Sequence, residues 1–488
     1  MPDQQVFTPY AEVHETHTGV VMLIGDRAYK VKKPVAFEFC DFTSLADRER
    51  VCRREVELNR RLAPDAYVGV GEFQFPDGHG TEPVIVMRRM PPETRLATLA
   101  RQRRVDATSV QRIARRLADF HDSCERGPEI DAEASADAVR ARWAANLAEL
   151  RAIPNSPLVP ELLNTIEDAA FRYLAGRSAL FADRIAAGRI VDGHGDLLAD
   201  DIFLLPEGPQ MLDCLEFDDR LRYLDQIDDV AFLAMDLERL GATDLAWSLL
   251  AEYRRLSGDD APSSLVHHYQ AYRALVRAKV ACLRAKQGKE SAADLAWQLA
   301  QLSLHHLAEG AVRIILVGGP PGTGKTTLAN AIAADLGCTV ISTDRVRKEL
   351  AGLDPDTPAP ATYGTGLYSP ELIAQTYAEV MNRAATLTAH GRSVILDGTW
   401  TAQATRQQAM NLAARTASVV VPLRCVAPAD VAAARMARRR GPSDATADIA
   451  TAMRAHADPW FDAFPIDTGG DLADAHKHAV DVVLGRLR

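Results

Sequence analysis

One glycine-rich segment constrains the fold of this chain more than any other feature. Residues 319–326 read G-P-P-G-T-G-K-T and match the phosphate-binding pattern G-x-x-x-x-G-K-S/T. Residues 312–317, before the loop, are apolar and rich in β-branched types, which predicts a buried strand, and residues 327–336 predict a helix. Strand, loop and helix in this order favour a nucleotide-binding P-loop over the alternative, an ordinary glycine turn.

The residue types of this loop suit ATP with Mg²⁺. Glycines allow backbone N–H groups to close around a phosphate at a helix N-terminus. The lysine can reach the β- and γ-phosphates, and the hydroxyl after it can hold Mg²⁺. The residues predicted to bind the nucleotide are Gly319, Gly322, Thr323, Gly324, Lys325, Thr326 and Thr327, with Thr326 also a metal ligand.

Length and composition limit the possible functions. A chain of 488 residues predicts more than one domain. The net charge of −10 provides no basic field for nucleic acid or for an anionic membrane. Seven scattered cysteines without a C-x-x-C pair favour reduced thiols. Without a signal sequence or an apolar run of about 20 residues, we expect a cytoplasmic protein with no membrane partner. The oligomeric state stays open.

The N-terminal part predicts a small α+β lobe. Residues 20–33 predict two strands joined by a tight Gly-Asp turn. Lys30 and Lys32 lie on one face of the second strand, since side chains repeat every two residues. Residues 44–62 predict a helix that carries Glu55, and further strands lead to a proline-marked hinge. The alternative for the two lysines is an exposed strand edge.

The following part is predicted to be mostly helical, except for one stretch rich in carboxylates. In chain order this stretch contains H-G-D at residues 194–196, Asp201, a strand at residues 202–205 and a strand at residues 210–217 that carries Asp213. Phosphoryl transfer uses such a set. One carboxylate takes the proton of the acceptor hydroxyl, and others hold Mg²⁺ on the nucleotide phosphates.

This stretch resembles the aminoglycoside phosphotransferase family, which has a protein-kinase-like fold. The family shows H-G-D-x-x-x-x-N and then I-D-F or I-D-C, and this chain has H-G-D-L-L-A-D-D and L-D-C. The resemblance covers residues 1–305. It implies that Asp196 is the catalytic carboxylate, that Asp201 and Asp213 are Mg²⁺ ligands, and that Lys30, paired with Glu55, binds the nucleotide phosphates.

Three points stay open in this resemblance. Lys32 is a rival to Lys30 for the role of the nucleotide lysine. Asp201 stands where the family has asparagine, which adds a negative charge beside the phosphates. No G-x-G-x-x-G is present, and only Thr18-Gly19 hints at a phosphate loop. The alternative is therefore a degenerate kinase fold that transfers no phosphoryl group.

Polar residues also follow two predicted strands after the P-loop. The segment S-T-D-R-V-R-K-E-L at residues 342–350 ends one strand, and Asp397 ends another. Carboxylates at the carboxyl ends of parallel strands face the ligand crevice. Asp397 is therefore predicted to lie near Mg²⁺.

The segment at residues 342–350 resembles that of small P-loop kinases, which include gluconate and shikimate kinases, zeta toxins, chloramphenicol phosphotransferase and polynucleotide kinase. The resemblance covers residues 311–488. It implies that Asp344 is the catalytic base and that Arg347 holds the acceptor. The alternative is that Asp344 only caps the helix that follows.

A basic run at residues 435–440 lies where these kinases carry an arginine-bearing lid. Arg435 and Arg439 are four positions apart and share a helix face. They are predicted to stabilise charge on the transferring phosphoryl group. The alternative is a solvated basic face.

The whole chain looks like the fusion proteins described as bifunctional aminoglycoside phosphotransferase and ATP-binding proteins. The predicted domains are an N-lobe at 1–92, a helical C-lobe at 93–309 and an α/β P-loop domain with a parallel sheet at 310–488. We expect an ATP-dependent phosphotransferase with two Mg·ATP sites that acts on a hydroxyl of a small molecule, such as a sugar or amino sugar. Two alternatives stay open. The kinase-like part could be an inactive nucleotide-binding domain that gates the P-loop domain, or the chain could be a nucleic-acid 5′-hydroxyl kinase, against which the net charge argues.

Overall fold

The computed structural model describes two compact units. The described residues are 10–15, 18–37, 40–75, 80–289, 291–354, 364–437, 453 and 455–486. The first unit comprises Met1–Leu158, Asp183–Ala261 and Tyr269–Ser303, and the second comprises Val159–Ala182, Pro262–His268 and Leu304–Arg488. The domain limits given above stay predictions. Among the described helices, none has both the length and the apolar character needed to cross a lipid bilayer.

The first unit begins with an antiparallel sheet and one helix. Its elements are β1 (Ala11–Glu15), β2 (Gly19–Ile24), β3 (Arg27–Lys32), β4 (Ala36–Phe37), β5 (Cys40–Asp41), α1 (Leu45–Asn59), β6 (Tyr67–Gln74) and β7 (Thr81–Arg88). In the described residues the larger sheet has the order β1-β2-β3-β7-β6, and β4 pairs with β5. The predicted hairpin, helix and strand of this lobe are confirmed.

Helix α1 positions a buried carboxylate against this sheet. The helix begins after Ser44, whose hydroxyl accepts a hydrogen bond from the Asp47 N–H at 3.1 Å and so caps it. Its apolar side packs Cys52 and Val56 into a core shared with the sheet. Glu55 lies between these two residues in sequence and is fully buried.

A mostly helical part follows, as predicted. Its elements are α2 (Leu96–Arg101), α3 (Ala107–Ser123), α4 (Pro128–Ala132), α5 (Ala136–Ala152), α6 (Pro160–Ala175), α7 (Ser178–Ala186), β8 (Ile190–Asp192), β9 (Ile202–Leu205), β10 (Gly208–Met211), β11 (Tyr223–Asp225), α8 (Gln226–Arg239), α9 (Thr243–Ser257), α10 (Ser263–Lys286) and α11 (Ser291–Glu309). Strand β9 pairs with β10 and β8 with β11, all antiparallel. The kinase-like fold class is confirmed by this succession.

One strand prediction in this part is wrong. We expected a strand over residues 210–217 with Asp213 on it, but β10 ends at Met211. Asp213 lies beyond the strand with φ of 65°. This left-handed conformation costs an L-residue about 1–2 kcal/mol and cannot continue a strand. This turn ends the strand and sets the orientation of the Asp213 carboxylate.

The second unit contains a parallel sheet between helices. Its further elements are β12 (Arg313–Gly318), α12 (Lys325–Leu336), β13 (Thr339–Ser342), α13 (Thr343–Leu350), α14 (Pro370–Ala389), β14 (Val394–Asp397), α15 (Gln403–Arg415), β15 (Val419–Val426), α16 (Ala429–Ala437), β16 (Phe464–Asp467) and α17 (Leu472–Val483). Within the described ranges the strand order is β13-β14-β12-β15-β16, and every pairing is parallel. The predicted α/β P-loop fold is confirmed.

Strand β12 is buried on both faces, which explains its unbroken apolar sequence. Ile314 and Leu316 pack with α14 and α15 on one face. Ile315 and Val317 pack with α12 and α17 on the other face. Strand β12 lies between β14 and β15 in the sheet. The chain adds β13 and β14 on one side of β12 and then β15 and β16 on the other side. The carboxyl end of β12 is therefore a switch point, where such sheets bind ligands.

The second unit also includes residues that lie far earlier in the sequence. Arg177, which follows α6, is fully buried and donates from Nη1 to the carbonyl oxygen of Thr416 at 2.7 Å. Ser264 donates from its hydroxyl to the carbonyl oxygen of Gly391 at 2.6 Å. These two hydrogen bonds tie the ends of α15 and α14 to segments more than a hundred positions away.

Candidate active sites

The P-loop connects β12 to α12 and depends on its glycines. Gly319 has φ of 134°, and a Cβ at this position would lie 2.7 Å from the carbonyl oxygen of Cys425. Thr323 is buried and donates from its hydroxyl to the carbonyl oxygen of Pro320 at 2.8 Å. These two predicted residues shape the loop and do not line the cavity that it encloses.

A cavity of about 340 Å³ opens beside this loop. The predicted residues that line it are Gly322, Gly324, Lys325, Thr326, Thr327, Asp344, Arg347, Asp397 and Arg435. Further lining residues, to which the sequence analysis assigned no role, are Ser342, Thr343, Tyr368, Thr399 and Met453. The structure therefore brings the loop and the ends of β13 and β14 together, as their parallel order requires.

The phosphate end of this cavity has the groups that Mg²⁺ and a phosphate need. Thr326 donates from its hydroxyl to Oδ2 of Asp397 at 2.7 Å. Lys325 donates from Nζ to the carbonyl oxygen of Pro320 at 2.9 Å, and so it curls over its own loop. A hydroxyl and a carboxylate side by side fit a cation that keeps most of its other ligands as water and phosphate oxygens.

The opposite end of the cavity is formed by α13. Arg347 donates from Nη1 to Oδ1 of Asp344 at 2.7 Å, one helical turn away. The guanidinium of Arg347 also lies over the ring of Tyr368, 5.0 Å from its centroid. The helix begins at Thr343 after the N-cap residue Ser342, so Asp344 lies in the first turn and is not the capping residue. Its carboxylate is turned toward the cavity wall with Arg347.

Only one of the two predicted lid arginines can be placed. Arg435 lies on α16 and donates from Nη1 to the carbonyl oxygen of Thr468 at 2.8 Å. Thr468 in turn donates from its hydroxyl to the carbonyl oxygen of Thr323 in the P-loop at 2.6 Å. Arg435 is therefore directed to the cavity. Arg439 lies outside the described residues.

The first unit contains the second predicted site, at which a buried glutamate binds two lysines. Lys30 Nζ lies 2.8 Å from Oε1 of Glu55 and 2.6 Å from Oδ1 of Asp213. Lys32 Nζ lies 2.7 Å from Oε2 of Glu55 and also pairs with Glu216. Lys30 thus contacts Asp213, the carboxylate predicted to bind the metal, whereas Lys32 is buried.

Charge compensation holds this group in its ionised form. Burial opposes the charge on Lys30, but Asp213 and Glu55 outweigh it and hold the pKa of Lys30 well above its ordinary value. The ammonium of Lys30 lowers the pKa of Asp213 to about 2. The Asp213 carboxylate is 48% exposed and accessible to a metal ion.

Asp201 lies beside Asp213 across a backbone hydrogen bond. The Leu212 N–H donates to the carbonyl oxygen of Asp201 at 2.9 Å. Burial raises the pKa of Asp201 well above its ordinary value, and the charges of Asp213 and Asp196 raise it further. A cation bound among these carboxylates would remove that repulsion, so the site fits Mg²⁺.

Asp196 lies on a loop whose backbone is fixed by buried side chains. Asp229, fully buried on α8, accepts hydrogen bonds from the His194 N–H at 2.6 Å and from the Gly195 N–H at 2.9 Å. Arg273 donates to the carbonyl oxygen of Gly195 at 2.9 Å. The Asp196 carboxylate is 38% exposed, and burial raises its pKa. Asp229 therefore fixes the backbone of the loop on which Asp196 lies.

Sequence reasoning missed one neighbour of Asp196. Arg277 Nη1 lies 4.0 Å from Oδ1 of Asp196. One pattern in the sequence pointed to Arg277: Arg273 and Arg277 are four positions apart and therefore share a face of one helix. The spacing of these arginines does not indicate which surface that helix face covers.

Neither site contains a preformed cage for a metal. In the described part of the chain, no group of three or more histidine, cysteine or acidic side chains is arranged to hold a metal ion. Mg²⁺ in phosphotransferases is bound by one or two protein groups together with substrate phosphates. Asp213 with Asp201, and Thr326 with Asp397, are pairs of this kind. A kinase-like fold and a P-loop fold both imply ATP binding, typically with Mg²⁺.

Comparison with known proteins agrees with these folds. A family model described as an AAA domain matches residues 314–460. Uncharacterized proteins of Mycobacterium tuberculosis and Mycobacterium bovis are 48% identical to this chain over 463 residues, which cover 95% of this chain and 93% of each relative. The predicted combination of a kinase-like part and a P-loop part is confirmed.

Three solved structures are similar to parts of the chain. A choline/ethanolamine kinase family protein from Mesorhizobium loti is 15% identical with a TM-score of 0.38, covering 62% of this chain and 94% of its own. Aminoglycoside 2′-phosphotransferase-IIIa is 14% identical with a TM-score of 0.38, covering 62% and 94%. A gluconokinase from Sinorhizobium meliloti is 18% identical with a TM-score of 0.27, covering 36% and 93%. At these identities the likeness concerns the fold alone.

Proposed function

This chain belongs to the family of the mycobacterial proteins compared above, and we propose that it is an ATP-dependent phosphotransferase with two Mg·ATP sites. Each site would transfer the γ-phosphoryl group to a hydroxyl of a small molecule. The observation that carries the proposal is the meeting of Lys325, Asp344 and Arg347 on one cavity. A phosphate-binding lysine and a carboxylate with a paired arginine are the groups that phosphoryl transfer needs.

In the P-loop site, Asp344 would accept the proton of the acceptor hydroxyl while the hydroxyl oxygen forms a bond to the γ-phosphorus. The bond from that phosphorus to the β–γ bridging oxygen breaks, and ADP leaves with the electron pair. Lys325 and Arg435 offset the charge on the phosphate oxygens, and Arg347 holds the acceptor. Thr326 and Asp397 would hold Mg²⁺, which neutralises phosphate charge when bound.

In the kinase-like site, Asp196 would accept the hydroxyl proton. Asp213 and Asp201 would hold Mg²⁺, and Lys30, fixed by Glu55, would bind the nucleotide phosphates. The direct pairing of Lys30 with Asp213 supports a second candidate, in which this site only binds nucleotide and gates the other. A lysine paired with the metal carboxylate competes with Mg²⁺ for its charge, and a movement of that lysine on nucleotide binding can serve as a switch.

The experiment is a screen of ADP release by the full chain against a panel of sugars, amino sugars and nucleosides. Lys325→Ala and Asp196→Asn each silence one site, and Lys477→Ala, an exposed lysine on α17, is the matched control. The proposal expects transfer that depends on each substitution separately. Transfer that depends on Lys325 alone, with nucleotide binding retained in Asp196→Asn, would favour the gating role. Transfer unaffected by either substitution would refute the proposal.

A further inference from the structure

A partly exposed arginine lies beside Asp196. Arg277 lies 4.0 Å from the Asp196 carboxylate, and its side chain is 23% exposed. No other carboxylate of the described residues lies within ion-pair distance of Arg277. A half-exposed carboxylate at which an acceptor hydroxyl would bind therefore has a guanidinium directly next to it.

The neighbouring arginine on the same helix is already neutralised. Arg273 makes two hydrogen bonds to the carboxylate of Asp228, both at 2.8 Å, and is buried. Its role is to hold the loop through Gly195. Among the described residues, the ion-pair contact of Arg277, one turn further along α10, is the one with Asp196 at 4.0 Å, so its charge is available to a ligand.

A second arginine lies on the same side of α10. Arg284 is exposed and lies seven positions after Arg277, two turns along the same face of α10. Burial lowers the pKa of Arg284, and the charge of Arg277 lowers it further, which places the two guanidinium groups within each other's field. The one lysine between them, Lys279, is paired with Glu149 at 2.6 Å.

We propose that the acceptor of the kinase-like site is an anionic small molecule, of the class of sugar acids and sugar phosphates, and that Arg277 binds its anionic group. This inference rests on the proposed phosphoryl transfer from ATP in which Asp196 is the base. An acceptor with an ammonium group near its reacting hydroxyl would place like charges together, whereas a carboxylate or phosphate would pair with Arg277 in a forked geometry. Arg277 is then a specificity-determining residue, and the acceptor replaces its weak contact with Asp196.

The test uses three probes that share a six-carbon polyol chain and differ in the charge at one end: gluconate, sorbitol and glucamine. Their binding to the full chain, with Lys325→Ala to silence the P-loop site, is measured by calorimetry with Mg²⁺ and a non-hydrolysable ATP analogue. Inorganic phosphate is a fourth probe. We expect gluconate to bind at least about tenfold more tightly than sorbitol, and glucamine to bind most weakly.

Two substitutions identify the group responsible. Arg277→Gln should bring gluconate and sorbitol to the same affinity and leave sorbitol unchanged, and Arg277→Glu should make glucamine bind more tightly than gluconate. Arg255→Gln, an exposed arginine on α9 that pairs with Glu252, is the control and should change none of the affinities.

Three results would overturn the inference: tighter binding of glucamine than of gluconate to the unsubstituted surface, an equal loss for all probes in Arg277→Gln, or no binding of gluconate or phosphate that depends on Arg277. An equal loss would mean that Arg277 acts on Asp196 or on the nucleotide. Phosphoryl transfer is measured in parallel. Arg277-dependent binding without any transfer that depends on Asp196 would refute the proposed transfer and would show Arg277 as an anion-binding residue only.

Discussion

The two nucleotide sites of this chain differ in what holds their lysines. Lys325 donates to a carbonyl oxygen of its own loop, five positions away. Lys30 pairs with Glu55 and Asp213, which are 25 and 183 positions away. The phosphate-binding loop with its lysine is thus built by a continuous segment, whereas the lysine group of the kinase-like site exists only after three distant segments have packed. For a group built by one segment, the sequence predicts both the residues and their geometry. For a group assembled from distant segments, the sequence predicts only the residue types.

The largest expected effect tests the local site. Lys325→Ala should reduce Asp344-dependent transfer by the full chain about a hundredfold to a thousandfold, because the positive charge that it places on the β- and γ-phosphates is lost. Initial rates of ADP release with the identified acceptor measure this effect. Lys477→Ala should leave the rate unchanged. A normal rate in Lys325→Ala would mean that the loop does not bind the transferred phosphate.

The acceptor end of the same cavity should separate into two roles. Asp344→Asn keeps the shape but removes the base, so kcat should fall about a hundredfold with little change in ATP affinity. Arg347→Ala should instead raise the acceptor KM, since it removes ground-state binding. Steady-state kinetics with both substrates varied distinguish these results. If the two variants show the same pattern, the pair acts as a single structural unit.

The assembled site should depend on the metal more than on the base. Asp213→Ala should weaken binding of Mg·ADP to the Lys325→Ala chain by about ten- to a hundredfold, because a metal ligand is lost. Binding without Mg²⁺ should change little. Asp196→Asn should retain full affinity, and Asp26→Ala, whose carboxylate is exposed, is the control. If the unsubstituted chain bound ADP equally well with and without Mg²⁺, the proposed role of the metal at the assembled site would be wrong.

The smallest expected effect is on pH dependence. Burial raises the pKa of Asp196, and the nearby charge of Arg277 partly offsets this. A base must be ionised to act, so transfer at this site should be lost as pH falls through that raised pKa, above the ordinary aspartate value of about 3.9. Arg277→Gln should move the acid limb of kcat/KM to higher pH. A shift to lower pH would contradict this arrangement of charges.

How much of this could be predicted depended on the distance between partners in the sequence. The P-loop, the hairpin that carries Lys30 and the helix that carries Glu55 follow from local pattern and are confirmed. The strand expected to carry Asp213 is wrong, because the left-handed turn after Met211 has no glycine to signal it. The contact of Arg277 with Asp196 depends on how α10 packs, which no periodicity within that helix encodes. The roles of the site residues stay predictions.

The burial of Arg177 against Thr416 has a consequence for biosynthesis. These residues are 239 positions apart. At about 5–20 residues per second, a ribosome needs about 12–48 s to make the second after the first. Throughout that interval the guanidinium of Arg177 exists without the carbonyl oxygen that accepts its hydrogen bond in the folded chain. This part of the second unit can therefore be completed only after residue 416 has been made, late in the synthesis of the chain.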